Sequence, residues 1–279
     1  MSQENSSVQD SSLQDSSLNC FEKIGSDHLP ITGEHIVSFN ILSDSYLKYF
    51  KGSKLSSLID DKTRVQKTLD EVLKLADSGK LVLLQEICNS FISLFKSQKK
   101  EWESKNSGYY KFYLNYNEKV MGDYEPSYVG YFYSREYFKT NFKYSDQLRD
   151  TRKIEVNGKG KKYYFGNYLT VKSSSKQAYA VVWENKKNNN SLFLTVTVHI
   201  PQRNPEYSRF EEKMNVLMSI ADKLSSSNKM PFYFAGDFNT EKWDTRTFGI
   251  QGFNKINNES FSHFSGGGKL VSYDHILKK

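Results

Sequence analysis

Only two cysteines, Cys20 and Cys88, occur in the 279-residue chain. That is too few for a disulfide framework, so the fold has to rest on its own core and both thiols read as reduced and incidental. No uninterrupted apolar stretch approaches the ~20 residues needed to cross a bilayer. The opening "MSQENSSVQDSSLQDSSLN" also lacks a basic segment running into a hydrophobic one. The expectation is therefore a soluble, intracellular (cytoplasmic) protein, monomeric by default. Three chemistries lose their usual signatures. There is no G-x-S-x-G elbow for a serine hydrolase, no G-x-x-x-x-G-K-[ST] loop for nucleoside triphosphates, and no Cys/His spacing for structural zinc. Residues 1–17 repeat Ser, Gln and Asp with almost no apolar content; they cannot repay the entropy of ordering and read as a disordered tail before a single domain over 18–279.

What the chain does carry is positive charge and aromatic rings. A formal net charge of +7 favours a polyanionic or phosphate-bearing partner, because a basic surface concentrates anions and speeds their encounter. The 19 Tyr and 19 Phe suit strands and stacking surfaces, and ordinary core packing as well. From Glu34 onward the apolar pattern alternates between strand and helix, the mark of layered α/β architecture. "HIVSFNIL" and "LVLLQE" read as strands on either side of a helix. That helix carries Val65, Leu69, Val72, Leu73 and Ala76 on one face, with Asp60 or Asp61 to cap it and Gly79 to stop it. A second amphipathic helix covers "SFISLFKSQKKEWESK". Between 109 and 184 the strand candidates are "YYKFYLNY", "YVGYFYS", "YYFGNYLTV" and "AYAVVWEN", with "NGKGKK" and "NKKNNNS" read as exposed turns. Then come the strand "SLFLTVTVHI", a helix with Phe210, Met214, Leu217, Met218 and Ala221 along one face, and the strand "MPFYFAGDFN". Last are the glycine-rich turn "SGGGK" and a short strand in "SYDHIL".

Four strands end on polar groups at equivalent places: Asn40, Glu86, His199, and Asp237 with Asn239. In α/β architectures ligands gather outside strand ends, where loops converge on a rigid sheet. Each residue alone fits a turn, a cap or a satisfied core histidine; together they predict a shared site.

The segments "SFNIL", "LLQE", "TVHIP", "AGDFN", "SYDHIL" and "GSDHLP" resemble motifs of the endonuclease/exonuclease/phosphatase superfamily, with "IVSFNILSDSYLKYF", "YVGYFYSREYF" and the Pro205 spacing of "VHIPQRNPEYSRF" closest to its deadenylase and nocturnin-like branch. The resemblance implies a two-layer β-sandwich flanked by helices, the deoxyribonuclease-I-like fold, with phosphoester hydrolysis assisted by Mg²⁺ or Mn²⁺. It also implies roles. Glu86, Asn40 and Asp27 would serve the metal, and Asp237 would orient or deprotonate water. Asn239 and His199 would donate to phosphate oxygens. His28 would contact the scissile phosphate or move a proton, its ring held by Asp274 or Asp27. In relatives the Asp-His pair closes the domain, whereas here Asp27 and His28 precede the first strand, so the sequence predicts a circular permutation with a tight turn around Thr32, Gly33 and Glu34. The expected activity is 3′-to-5′ exoribonuclease action on single-stranded RNA, with "RDTRK" and "KGKK" tracking phosphates. The alternatives are cleavage of DNA or of a phospholipid head group by the same machinery, or a catalytically silent nucleic-acid-binding module.

Overall fold

The computed structural model describes residues 18–104, 110–114, 127–148, 153–156, 159–162, 168–170, 177–202, 206–265 and 269–279. The tail at 1–17, Pro205, most of "RDTRK" and the glycines at 266–268 fall outside them, as does the first half of "YYFGNYLTV". A short helix α1 (18–24) leads into β1 (Ile31–Gly33) and β2 (Ile36–Asn40). Next come α2 (Ser57–Asp60), α3 (Arg64–Asp77), β3 (Leu81–Ile87), α4 (Asn89–Ser104), β4 (Tyr110–Leu114), β5 (Tyr128–Ser134), β6 (Phe138–Thr140) and α5 (Phe142–Ser145). Then follow β7 (Lys153–Val156), β8 (Lys159–Lys162), β9 (Tyr168–Thr170), β10 (Gln177–Asn185), β11 (Ser191–His199), α6 (Glu206–Asn228) and β12 (Phe232–Asp237). The chain closes with β13 (Asn254–Lys255), β14 (His263–Phe264), β15 (Leu270–Val271) and β16 (Asp274–Lys278).

Two sheets carry the architecture. One is five-stranded, in the order β1-β2-β3-β5-β4; the other runs β13-β16-β12-β11-β10-β6, with β9 also paired to β10. Their strands read as continuous apolar runs because both faces are covered. Along β2, Val37 and Phe39 point outward to Leu69, Val72 and Ala76 of α3, while Ile36 packs inward with Tyr179, Trp183, Tyr233 and Ile276 of the opposite sheet. Phe210, Met214, Leu217, Met218 and Ala221 of α6 cover the outer face of that second sheet. The result is the expected two-layer sandwich flanked by helices. Each sheet contains one parallel pair joined by a helical crossover, β2–α3–β3 and β11–α6–β12, so the C-terminal ends of four strands are available for a site.

Three local expectations need correction. α3 begins at Arg64, and its N-cap, Thr63, makes no side-chain cap bond; Asp61 stands just before it, accepting the Thr63 amide at 2.8 Å and pairing with Lys67 at 2.7 Å. "KGKK", the second part of the segment read as an exposed turn, is strand β8, paired with β7 from Val156↔Lys159. In the turn after β1, Glu34 and not Gly33 takes the positive φ, at +50°. Gly33 pairs with Ile36, and a Cβ there would lie 2.9 Å from Ile256 Cδ1, the movable end of a side chain.

Candidate active site

Asn40 closes β2, and His199 and Asp237 close β11 and β12, opposite one another in register. Asp274, the first residue of β16, pairs with Asp237. Glu86 reaches the same edge by another route. The β3–β5 ladder shifts between Leu84 and Ile87, and Glu86 adopts a φ of +58°. Such a bulge re-aims side chains. Gln85 donates across the sandwich to Thr197 Oγ1 at 3.0 Å, and Glu86 Oε2 accepts the Ser43 amide at 3.0 Å.

Asp27 and His28 arrive from the opposite end of the sequence. His28 Nδ1 lies 2.7 Å from Asp274 Oδ2, a contact spanning 246 positions, so Asp274 and not Asp27 holds the ring. Its Nε2 stands 3.9 Å from Asp27 Oδ2 and 4.0 Å from Asp237 Oδ2. The loop is fixed by Ser26, whose hydroxyl donates to Asn40 O at 2.8 Å and accepts the His28 amide at 3.1 Å. Asp237 is held on both oxygens: Asn40 Nδ2 donates to Oδ2 at 3.1 Å and the Asn239 amide to Oδ1 at 2.8 Å. His199 Nε2 sits 3.5 Å from both Glu86 Oε1 and Asp237 Oδ2. Asn239, at φ +53°, donates to Ile200 O at 2.7 Å and accepts from Gln202 Nε2 at 2.8 Å. All the sequence-selected site residues therefore meet at one edge of the two sheets.

The family model for the endonuclease/exonuclease/phosphatase family matches residues 37–277. The chain belongs to this family. Solved structures agree on the fold. The ANGEL2 2′,3′-cyclic phosphatase superposes with a TM-score of 0.55 at 10% identity, covering 90% of this chain and 86% of that one. A humanized D. rerio TDP2 gives 0.52 at 12% identity, covering 91% and 84%. The human Nocturnin catalytic domain with bound sulfate gives 0.50 at 15% identity, covering 89% and 81%. No curated protein sequence matches significantly.

As in any phosphoesterase of the endonuclease/exonuclease/phosphatase family, the pocket must manage negative charge, and its titration shows that pressure. Burial disfavours an imidazolium at His28, but Asp274, then Asp27 and Asp237, outweigh it and push the group up to about 10. Burial pushes the Asp27 carboxyl up to about 7 even though His28 pulls it down. Burial, then His28, keeps His263 well below the usual imidazole range. Among the described residues two groups of side chains could hold a cation: Glu86 with His199 and Asp237, and Asp27 with His28 and His263. The donor set fits a divalent ion. Asp27 Oδ1 and Asp274 Oδ1 are buried without a hydrogen-bond partner, and carboxylate oxygens, being acceptors only, gain most from a cation in a dry pocket.

The sequence did not point to four contributors. His263 packs against His28 with ring centroids 4.2 Å apart and planes tilted by 36°; its only signal was being one of five histidines in the chain. Arg64 is buried and donates to Leu42 O at 2.9 Å and Gly25 O at 3.3 Å. It also pairs with Asp44, tying together the loops after α1 and β2. Ser26 and Ser43 are small polar residues whose roles depend on distant partners. Beside Asn239 lies a cleft lined by Gln202, Tyr207, Glu211, Thr245 and Arg246, with the Arg246 guanidinium 3.6 Å above the Tyr207 ring. Among the described residues no helix is long and apolar enough to cross a membrane.

Proposed function

We propose that the protein is a Mg²⁺- or Mn²⁺-dependent phosphodiesterase that removes nucleotides from the 3′ end of single-stranded RNA. The observation that carries this reading is the placement of His28. Asp274 fixes its Nδ1, and its Nε2 faces Asp237 across 4.0 Å, close enough for one water beside that line to accept from Nε2 and donate to the carboxylate, or for Nε2 to turn its proton to a phosphate oxygen. A phosphodiester is anionic and poorly electrophilic, so its hydrolysis needs charge neutralisation, an oriented water and help for the departing alkoxide. Glu86, with Asn40 and Asp27 nearby, supplies hard oxygen ligands of the kind Mg²⁺ prefers; the bound ion would neutralise phosphate charge.

The other roles belong to this chain's own side chains. Asp237, an acceptor held at both oxygens, orients the attacking water and takes its proton. His28 donates from Nε2 to a non-bridging or leaving oxygen, with Asp274 keeping the ring in place. His199 and Asn239 complete the donors around the phosphate. For nucleic acid as substrate, the support is the net positive charge and the stacked Arg246–Tyr207 pair in the cleft beside Asn239; a planar cation and a ring are suited to hold a base and its phosphate. We further infer that the chain is a circularly permuted family member. The family model begins at Val37, after the Asp27–His28 pair, yet that pair stands in the cluster and is followed by a strand that pairs with β2.

The test is a product profile. End-labelled poly(A), mixed-sequence RNA, RNA ending in a 2′,3′-cyclic phosphate, single- and double-stranded DNA and inositol lipids are incubated with Mg²⁺ or EDTA. Stepwise loss of nucleoside 5′-monophosphate from RNA, abolished by EDTA, is expected. Internal cuts in DNA, release of the cyclic or lipid phosphate alone, or RNA retention without turnover would each replace the reading.

A further inference from the structure

Beside the Glu86–His199–Asp237 group stands a second cluster, which joins His263 to the Asp27 and His28 of the proposed reaction. Asp27 Oδ2 lies 3.9 Å from His28 Nε2 and 3.5 Å from His263 Nδ1, and all three atoms fall within 4.8 Å of one another. Bonds of ~2.0–2.1 Å around a tetrahedral Zn²⁺ place neighbouring ligand atoms ~3.3 Å apart, and the two contacts of Asp27 Oδ2, at 3.5 and 3.9 Å, need only small side-chain rotations to reach that spacing. The cluster is built rather than accidental. Backbone bonds run from Leu29 N to Ser262 O at 2.7 Å and from Phe264 N to Asp27 O at 2.9 Å, bridging His28 to His263. The His263 ring is further clamped by Tyr273, stacked at 5.2 Å and 19°. His28 Nδ1 is committed to Asp274, which leaves Nε2 as the free donor, the carboxylate–histidine arrangement that orients metal-ligating imidazoles.

Two atoms of the cluster, Asp27 Oδ1 and His263 Nδ1, are buried without a hydrogen-bond partner, a costly state in the absence of an occupant. Two imidazoles and one carboxylate are a borderline-soft donor set. Such a set selects zinc-like ions, whereas Mg²⁺ favours oxygen ligands. We propose that Asp27, His28 and His263 form a second cation site, selective for Zn²⁺-class ions over Mg²⁺, and that its filling takes His28 out of the hydrolytic reaction. An ion on Nε2 occupies the lone pair through which that nitrogen would otherwise hold its proton, so His28 can no longer donate to a phosphate oxygen. The binding half of the inference stands alone; the inhibitory half rests on the proposed function.

The full chain, stripped of metal, is titrated with Co²⁺ as a spectroscopic probe and then with Zn²⁺ as competitor. The wild type and Glu86→Gln should both show the intense visible absorption of a low-coordinate cobalt site, displaced by Zn²⁺. In His263→Phe and in the polar variant His263→Gln, both checked for unchanged thermal unfolding, affinity should fall by at least ~100-fold, since even outer-shell losses cost 10–100-fold. An unchanged spectrum in both His263 variants, or its disappearance in Glu86→Gln, would overturn the site. For inhibition, each protein's Mg²⁺-supported rate is normalised to its own zinc-free value. Zinc that fills the site should suppress wild-type hydrolysis, and the His263 variants should need ~100-fold more. Binding without suppression would overturn the inhibitory half. If no substrate turns over, the proposed function falls while the cobalt titration still decides the site.

Discussion

Gly236 offers the sharpest test of how β12 delivers Asp237. Its φ is +151°, and a Cβ built on it would lie 2.0 Å from Val198 O, with Val198 C and N both at 2.8 Å. Val198 is its register partner on β11, so the obstacle is backbone and cannot rotate away. An ordinary carbon–oxygen contact is ~3.3 Å or more; Gly236→Ala therefore forces the two strands apart by more than about 1 Å. Overpacking of this kind costs ~1–3 kcal/mol, and stretching one or two ladder bonds adds ~0.5–1.5 kcal/mol each. The total, about 1.5–6 kcal/mol, lowers Tm by roughly 3–24 °C at ~2–4 °C per kcal/mol for a large domain. Activity should suffer more, because His199↔Asp237 is the next pair in the same ladder and a displacement of ~1 Å in a catalytic group costs ~10²-fold. Gly249→Ala is the control. Its φ is +76°, with nothing within 4 Å of the added Cβ, so it bears the backbone strain without the collision and should lose only ~1–2 kcal/mol. Thermal melts and kcat/KM on the substrate identified by the product profile read both effects. A Gly236→Ala protein that matches wild type in both would refute the reasoning.

Three further outcomes follow from the same geometry. His28→Ala should lower kcat by ~10²- to 10⁴-fold, measured by single-turnover hydrolysis below its Tm, and should lower Tm as well because Asp274 loses its buried partner; wild-type rates would remove His28 from the mechanism. Mg²⁺ or Mn²⁺ at about 100 Kd should stabilise the wild type by ~2.7 kcal/mol, and Glu86→Gln should abolish that shift in a thermal melt; an equal shift in the variant would place the ion elsewhere. Burial pulls His35, packed against Phe193 and Tyr233, down to about 4. The unfolded chain therefore binds the extra proton between pH 6.5 and 4, and stability falls as pH drops through that window by up to ~3 kcal/mol. In His35→Phe, urea melts across pH should show that share of the slope gone.

The parts of the site legible in the sequence were those that periodicity isolates. Asn40, His199 and Asp237 stand out because each ends an apolar run in a strand buried on both faces, where a polar residue needs a reason. Glu86 was legible by position but not by direction: "LLQE" does not say that a bulge sends Gln85 to Thr197 and Glu86 to the pocket, since bulges are set by the partner strand. His263 was invisible because short strands in polar sequence have no period, and it reaches His28 only through a long-range bridge. Arg64 is the most instructive omission. The sequence analysis gave it no role, yet it is 2% exposed, because the loop after α1 folds over the start of α3.

That position makes Arg64 a test of whether the two loops act as a unit. Its guanidinium holds Gly25 O, Ile41 O and Leu42 O, and so links the segment carrying Asp27 and His28 to the one that follows Asn40. Arg64→Lys keeps the charge, but one ammonium cannot serve both the three carbonyls, which Nη1 holds, and Asp44, which Nη2 holds, and a buried acceptor left without a donor costs ~1–3 kcal/mol. The cost falls on two loops while the sheets keep their cores, so amide exchange should accelerate at 24–28 and 41–44 and remain slow in β11 and β12. Activity should fall with the loops, because His28 and Asn40 both contact Asp237 through these segments. Uniformly faster exchange across both sheets would mean that Arg64 supports the fold as a whole rather than the assembly of its active edge.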